Sequence, residues 1–441
     1  VSNVGAEVGV CGLGPLPVFR AVPPEPSVAE QRGVPSSALR EFFMDTIKNS
    51  DLPRGFKAGT AAAGFKAQGR DDLGIILSVR DAVVAGLFTL NVFKAAPVMV
   101  CKDILRRFGK ARAIIANSGQ ANACTGEEGI ARCHETQRMV AGPLGISPDA
   151  VMPMSTGVIG DQLKMDLWEK AVPALIKSIG SRDAEGFTRA FMTTDTFPKF
   201  TSREVRVSGG TIRLTTMAKG AGMICPNMAT MLCVVLTDAM LDQKLWQEMF
   251  SRSVNLTFNR VSVDGDTSTN DTILGLANGA SGVTLTADDA AVLEKELTDI
   301  LKVTAHMLVK DGEGATKVLR ITVTGADSDR DAEQVARTVG NSQLVKTAMY
   351  GMDANWGRII AAVGRAGVPM KPEDVSVSLC GVELFRNGQP LGGDFDAALE
   401  APLKERLIPV DISVGVGPGT FTLETADLSV GYVKLNSDYR S

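Results

Sequence analysis

The sequence predicts a layered α/β fold, with strands and helices mixed along the chain and no strict βαβ alternation. Three observations carry this. Apolar residues alternate with period two in some segments, as at Leu319, Ile321 and Val323, and recur at helical spacing in others, as at Leu293, Leu297, Ile300 and Leu301. Residues 232–236 are apolar throughout, which suits a strand covered on both faces. The chain has 441 residues, 44% hydrophobic and 22% charged. That is enough for two or three domains and a sizeable core.

The elements follow in chain order. Residues 1–51 are expected to be a poorly ordered extension. Gly12, Gly14, Pro15, Pro17, Pro23, Pro24 and Pro26 recur there without a period. The sharper expectation is a remnant of an organelle transit peptide that has lost its basic part. One short helix is expected over residues 37–49. Residues 73–79 and 113–117 read as strands. Leu163, Leu167, Ala171 and Leu175 mark a helix. Residues 204–207 and 212–215 flank Gly209-Gly210, a hairpin turn. Leu241, Leu245, Met249 and Phe250 mark a second helix, and Leu293 to Leu308 a third. A fourth helix is expected over residues 332–345. Val375, Val377 and Leu379, then Val410, Ile412 and Val414, read as half-buried strands. A C-terminal α/β domain is expected from about residue 318.

Composition excludes several classes. The 46 basic and 50 acidic residues give a net charge of −4, which argues against a nucleic-acid binder. Aromatics at 5% leave little for base stacking. The run 82–101 is interrupted by Asn91, Lys94 and Pro97, so no membrane span is expected. Seven cysteines with no CxxC pair read as reduced thiols, mostly in the core, and argue against zinc. The two histidines, His134 and His306, starve any His-centred triad. His306 lies nearly opposite Leu297 on its helix, so a solvated position is expected. Cys133 and His134 are adjacent and point different ways on a helix.

Chemistry concentrates in Gly-, Thr-, Asn- and Asp-rich segments. Taken singly, each is ordinary turn composition. No GxxxxGK[ST] phosphate loop is present, and no GxGxxG leads from a strand into a helix. Asp264, Asp266, Asn270 and Asp271 resemble part of a calcium loop, but its Gly and final Glu are misplaced. Residues 219–236 are the most informative. A glycine-rich approach ends at Ala229-Thr230, and a buried strand begins at once. A threonine there needs a base. Cleavage before Thr230 supplies one, its own α-amine, with a reference pKa of about 7.7–8.0. The Thr156 hydroxyl and the Gly157 N–H then suit an oxyanion. The residues alone leave this as one reading among several.

Six motifs in order resemble the ornithine acetyltransferases, also called bifunctional glutamate N-acetyltransferases. They are the segment at residues 117–126, STGVIG from Ser155, KGAGMICPNMATML from Lys219, VDGDTSTNDT from Val263, DGEGATK from Asp311 and NWGR from Asn355. The resemblance runs from about Gly55 to Ser441 and includes the ending NSDYRS. It implies a two-domain, self-cleaving fold with an N-terminal threonine. The cut falls between Ala229 and Thr230, giving an α chain (52–229 after the extension) and a β chain (230–441). It implies ping-pong transfer of acetyl from N-acetylornithine to glutamate through an acetyl-Thr230 ester. The oxyanion positions carry over to Thr156 and Gly157, and the substrate-binding positions to Thr156, Lys219, Thr230, Glu313, Asn436 and Ser441. Lys219 would meet a carboxylate and Glu313 an ammonium. The plainer readings are a solvated lysine beside a glycine turn and a helix-end carboxylate.

The resemblance further implies no cofactor and no metal, with acetyl-CoA as a second donor in some members. It implies a heterotetramer of two α and two β chains, small amino-acid substrates, and no nucleic-acid or membrane partner. The extension and Gln120 are closest to plastid-type members, with a cytoplasmic location as the alternative. Met352, Ala354, Gly431 and residues 415–419 depart from the family pattern and concern local loops. Cys225 reads as a packing residue. Two other readings stand beside this one. A related N-terminal-nucleophile amidase or aminopeptidase would pass the acyl group to water, and a non-enzymatic binding protein would keep an uncut chain.

Overall fold

Alternating side chains build the first sheet from both of its faces. Along β7 (Leu232–Thr237), Cys233 and Val235 enter one core, and Leu232, Val234 and Leu236 enter another. This is why the run is apolar throughout. The computed structural model describes residues 50–66, 69–225 and 231–438, all in one compact unit. Residues 1–49 of the extension, with the helix expected at 37–49, and Ala229, Thr230 and Ser441 lie outside the described residues.

The first sheet is eight-stranded. Its strands are β1 (Phe56–Ala61), β2 (Leu73–Phe88), β3 (Lys110–Gln120), β4 (Val151–Val158), β5 (Lys199–Val207), β6 (Gly210–Lys219), β7 and β9 (Thr272–Ala277). Their order is β4-β3-β2-β9-β7-β6-β5, with β1 on β2. Most neighbours are antiparallel, but β3–β4 and β7–β9 are parallel. The hairpin at Gly209-Gly210 forms as expected, with Val207 opposite Gly210. One face is covered by helices Gln243–Asn255 and Ala287–Lys310, through Trp246, Phe250, Leu293, Leu297 and Ile300. The other face carries helices Ala96–Arg107 and Ala184–Phe191. Helix Met165–Lys177 packs Trp168, Val172 and Leu175 into a smaller core.

The second sheet is seven-stranded and holds β8 (Val261–Ser262), β10 (Val318–Gly325), β11 (Ser376–Leu379), β12 (Val382–Arg386), β13 (Gln389–Pro390), β14 (Leu407–Ser413) and β15 (Gly417–Ala426). Its core packs against helices Asp329–Gly340, Gln343–Tyr350 and Trp356–Gly364. β8 carries the chain from the first sheet's core into this sheet, pairing with β15.

Three expectations change. The fourth helix is two helices, because the first closes at Gly340. There a Cβ would lie 2.5 Å from a Leu423 methyl, and Asn341 N donates to Arg337 O at 2.9 Å. His306 is not solvated: its ring pairs with Glu424 at 2.7 Å, and Arg320 donates to the same carboxylate. Burial alone would raise the Glu424 carboxyl, but the hydrogen bonds and charge of its partners His306 and Arg320 hold it at about 2. The strand expected at 73–79 continues to Phe88, past a bulge between Leu77 and Ala82. Residues 82–101 are therefore the end of β2, a loop and the start of a helix. Among the described residues no helix is long and apolar enough to cross a membrane.

Gly275 shows how closely the helices sit. The Trp246 indole donates to its carbonyl at 2.9 Å, and a Cβ there would lie 2.7–2.8 Å from Phe250 and Trp246 ring atoms. Gly275→Ala is expected to cost about 1–3 kcal/mol by overpacking, read as a lower denaturant midpoint.

Candidate active site

The parallel pairing of β3 and β4 sets the first wall of a cleft. Ser118 stands opposite Thr156, and Gly119 opposite Gly157. Gly157 has φ +138°, and a Cβ there would fall 2.2 Å from the Gly119 carbonyl carbon. The backbone approach thus demands glycine whatever the site's chemistry. Lys219 ends β6, and its ammonium donates to the Thr156 hydroxyl at 3.2 Å. Asn270 ties the wall together. Its side-chain amide donates to Ala121 O at 2.6 Å and Ser155 O at 2.8 Å.

The opposite wall comes from the loop after helix Ala287–Lys310. Glu313 N donates to Ala221 O at 2.8 Å, and Asn436 from the C-terminal helix Val430–Asp438 donates to the Glu313 carboxylate at 2.9 Å. Gly222 leaves the room this carboxylate fills, since a Cβ there would lie 2.4 Å from it. Gly314 admits the C-terminal helix in the same way, with φ +66° and Tyr432 N 2.3 Å from a Cβ position. Thr156, Gly157, Lys219, Glu313 and Asn436 all line one cleft of about 650 Å³, counted to its open mouth. Thr193, Thr194, Ser268, Thr269 and Asn270 line it too. These were not foreseen. Ser268 to Asn270 lay within a quoted motif, but Thr193 and Thr194 carry no sequence signal.

Lys219 is buried, and burial lowers its pKa against the opposing pull of Asp195, Glu313 and Asp271. Asp195 belongs to a fully buried array. It accepts from Lys199 Nζ at 2.6 Å, Gly220 N at 2.7 Å and Thr193 N at 2.8 Å. Lys199 also donates to Asp311, which accepts from Thr196 N at 3.0 Å. Burial would raise the Asp195 carboxyl, but Lys199 and Lys219 hold it well below the usual carboxylate range. The array joins the segment at Thr193, the residue after Lys219, and the loop that ends in Glu313. Lys219 and Glu313 are therefore neither a solvated lysine nor a free helix-end carboxylate.

The segments flanking residues 226–230 are pinned. Asp264 accepts from Met223 N at 2.6 Å and Ile224 N at 2.9 Å. Cys225 O accepts from the Thr267 hydroxyl at 2.9 Å, and Cys225 Sγ from Asn341 Nδ2 at 3.9 Å. Past the segment, Met231 O accepts from Thr272 N at 3.0 Å. The motif that resembled a calcium loop thus spends Asp264 on backbone N–H groups. No group of three or more His, Cys, Asp or Glu side chains among the described residues is placed to hold a metal ion.

The sequence model of the ArgJ family matches residues 57–441. The arginine biosynthesis bifunctional protein ArgJ of Nitratidesulfovibrio vulgaris is 58% identical over 392 residues, covering 89% of this chain and 100% of that protein. The protein of the same name from Thermosynechococcus vestitus is 43% identical, covering 88% of this chain and 96% of that one. A solved structure of an arginine biosynthesis bifunctional protein from Bacillus halodurans is 37% identical, covers 46% of this chain and 96% of its own, and has a TM-score of 0.44.

Asp195→Asn tests the buried array. Removing one partner of a buried ion pair is expected to cost about 3 kcal/mol or more, read from thermal unfolding. The Asp195 carboxyl is depressed on folding, so its contribution is full above about pH 4 and is lost as pH falls toward its folded value. The gap between wild type and variant should narrow over that window; a gap independent of pH there would count against the array.

Proposed function

The chain belongs to the ArgJ family, and from that premise we propose that it is a self-processing acetyltransferase of arginine biosynthesis. It cuts itself between Ala229 and Thr230, and the freed α-amine of Thr230 becomes the base for its own hydroxyl. That hydroxyl attacks the acetyl carbonyl of N-acetylornithine. The tetrahedral oxyanion is met by the Thr156 hydroxyl and the Gly157 N–H. Ornithine leaves with the proton that the amine had taken. The glutamate amine then attacks the acetyl-Thr230 ester, and N-acetylglutamate leaves.

The observation that carries this reading is a buried ammonium, Lys219, and a buried carboxylate, Glu313, on the walls of one cleft. An amino-acid substrate bears the complementary pair. Asn436 steadies Glu313 through one carboxylate oxygen, and a ligand ammonium would take the other. Ser441 completes the substrate site in this reading, the cut chains assemble as two α and two β, and acetyl-CoA serves as a second donor. No cofactor is needed for any step. The relatives named above are bacterial, so a cytoplasmic setting is preferred over a plastid.

Fresh wild-type protein on a denaturing gel should give two bands that merge into one in Thr230→Ala. A single band from active wild-type protein would sink the proposal. Consumption of N-acetylornithine should also depend on glutamate; consumption without it would favour the amidase. Thr156→Ala should slow transfer by about 10²–10³-fold as the loss of one oxyanion donor. An unchanged single-turnover rate would remove Thr156 from that role.

A further inference from the structure

The two substrates of the proposed transfer are alike as far as Cγ and differ at their ends. N-acetylornithine carries an ammonium on Cδ, and glutamate ends in a carboxylate. A ping-pong reaction admits them in turn to one cleft, so one subsite must take both signs of charge. Lys219 serves the part they share. Its ammonium lies against Thr156, at the proposed oxyanion end. The α-carboxylate belongs there, one carbon from the acetylated nitrogen. The side chains then run toward the Glu313 wall. Glu313 suits the ornithine ammonium, but the end of a glutamate side chain meets like charge there and needs a neutral donor.

Donors in the cleft are few. The Asn436 amide spends its N–H groups on Glu313 at 2.9 Å and Tyr432 O at 3.1 Å. On the first wall, the Thr269 hydroxyl donates to Asn270 Oδ1 at 2.7 Å, and the Ser268 hydroxyl bonds to Asp271. Thr193 and Thr194 remain, both half-buried in the cleft. Neither hydroxyl is bonded to another protein group among the described residues. The backbone around them is fixed. Thr193 N donates to Asp195 at 2.8 Å and Thr196 N to Asp311 at 3.0 Å, so Thr194 lies between two anchors. Thr194 also borders a groove lined by Gly431, Lys434, Leu435 and Asp438, on the helix that carries Asn436. That puts it at the Glu313–Asn436 end of the cleft. Lys434 and Asp438 give the groove beyond it one charge of each sign.

We propose that the Thr194 hydroxyl binds the side-chain end of both substrates, accepting from the δ-ammonium of N-acetylornithine and donating to the γ-carboxylate of glutamate. The inference rests on the acetyltransferase reading above and names a specificity residue of that same cleft. A fixed cation at this place would repel ornithine, and a second fixed anion would repel glutamate. A hydroxyl carries one donor and two acceptor lone pairs, and it turns to suit its partner. It serves each substrate in turn without movement of the backbone that Asp195 and Asp311 hold on either side.

Two isotope exchanges separate the two ends. Labelled ornithine exchanging into N-acetylornithine presents only the cation, and labelled glutamate exchanging into N-acetylglutamate only the anion. Thr194→Val keeps the shape and removes the hydroxyl. It should raise the half-saturating concentration of both amino acids about 10-fold, as the loss of a hydrogen bond to a charged group. Maximal exchange rates should stay within about twofold, since the interaction lost is uniform binding. Thr194→Ser should stay near wild type. Thr194→Asp should split the exchanges, weakening glutamate about 10-fold or more while ornithine binds at least as tightly as in wild type. A merely structural role would move both together. A folded Val variant with both half-saturations unchanged overturns the proposal, and so does an Asp variant that shifts both exchanges alike. Should the Val variant not fold, the Ser and Asp variants decide by the same split. A wild-type protein that catalyses neither exchange overturns the acetyltransferase reading itself, and this subsite with it.

Discussion

One ammonium held between two carboxylates governs the cleft. Lys199 is wholly buried, and Asp195 and Asp311 close on it from different parts of the chain. A buried charge without a partner costs several kcal/mol, so this trio tolerates little displacement once formed. Its carboxylates also accept from backbone N–H groups at Thr193, Thr196 and Gly220 and from the Thr196 hydroxyl. The trio therefore fixes backbone next to Lys219 and two residues before Glu313. The spacing of the two charged walls follows from it.

The second constraint is the shortage of histidine. In the proposed mechanism the base is therefore the α-amine of Thr230, whose reference pKa of about 7.7–8.0 lies near neutral pH. Lys219 is pushed down and Asp271 up, by the same loss of solvent acting on opposite charges. Glycines supply the space. Gly157 lets one strand approach another, and Gly222 makes room for a carboxylate.

Part of the fold was legible before any coordinates. The hairpin at Gly209-Gly210, the buried strand at 232–236, the strands at 319–323 and 410–414 and the long helix at 293–308 follow from local periodicity. The misreadings share a cause. In β2 a bulge after Leu77 breaks the alternation, with Arg80 and Asp81 turned to solvent, so the period ends before the strand does. The apolar period at 332–345 runs on across a break at Asn341 and Ser342, where one helix is capped and the next begins. His306 faces away from its own helix's apolar stripe, and its partner Glu424 comes from a distant strand.

The sequence by itself determined the fold class, through periods of two and 3.6, and the set of polar motifs, whose order carried the family resemblance. Tertiary structure alone decided that Asp195, Lys199 and Asp311 form one array and that Asn270 ties the chain just after β3 to β4. The physical reason is that periodicity reports which face of an element is buried, and burial is a local property of an amphipathic segment. A charge's partner, its desolvation and the titration that follows depend on residues brought together only when the sheets and helices close over one another.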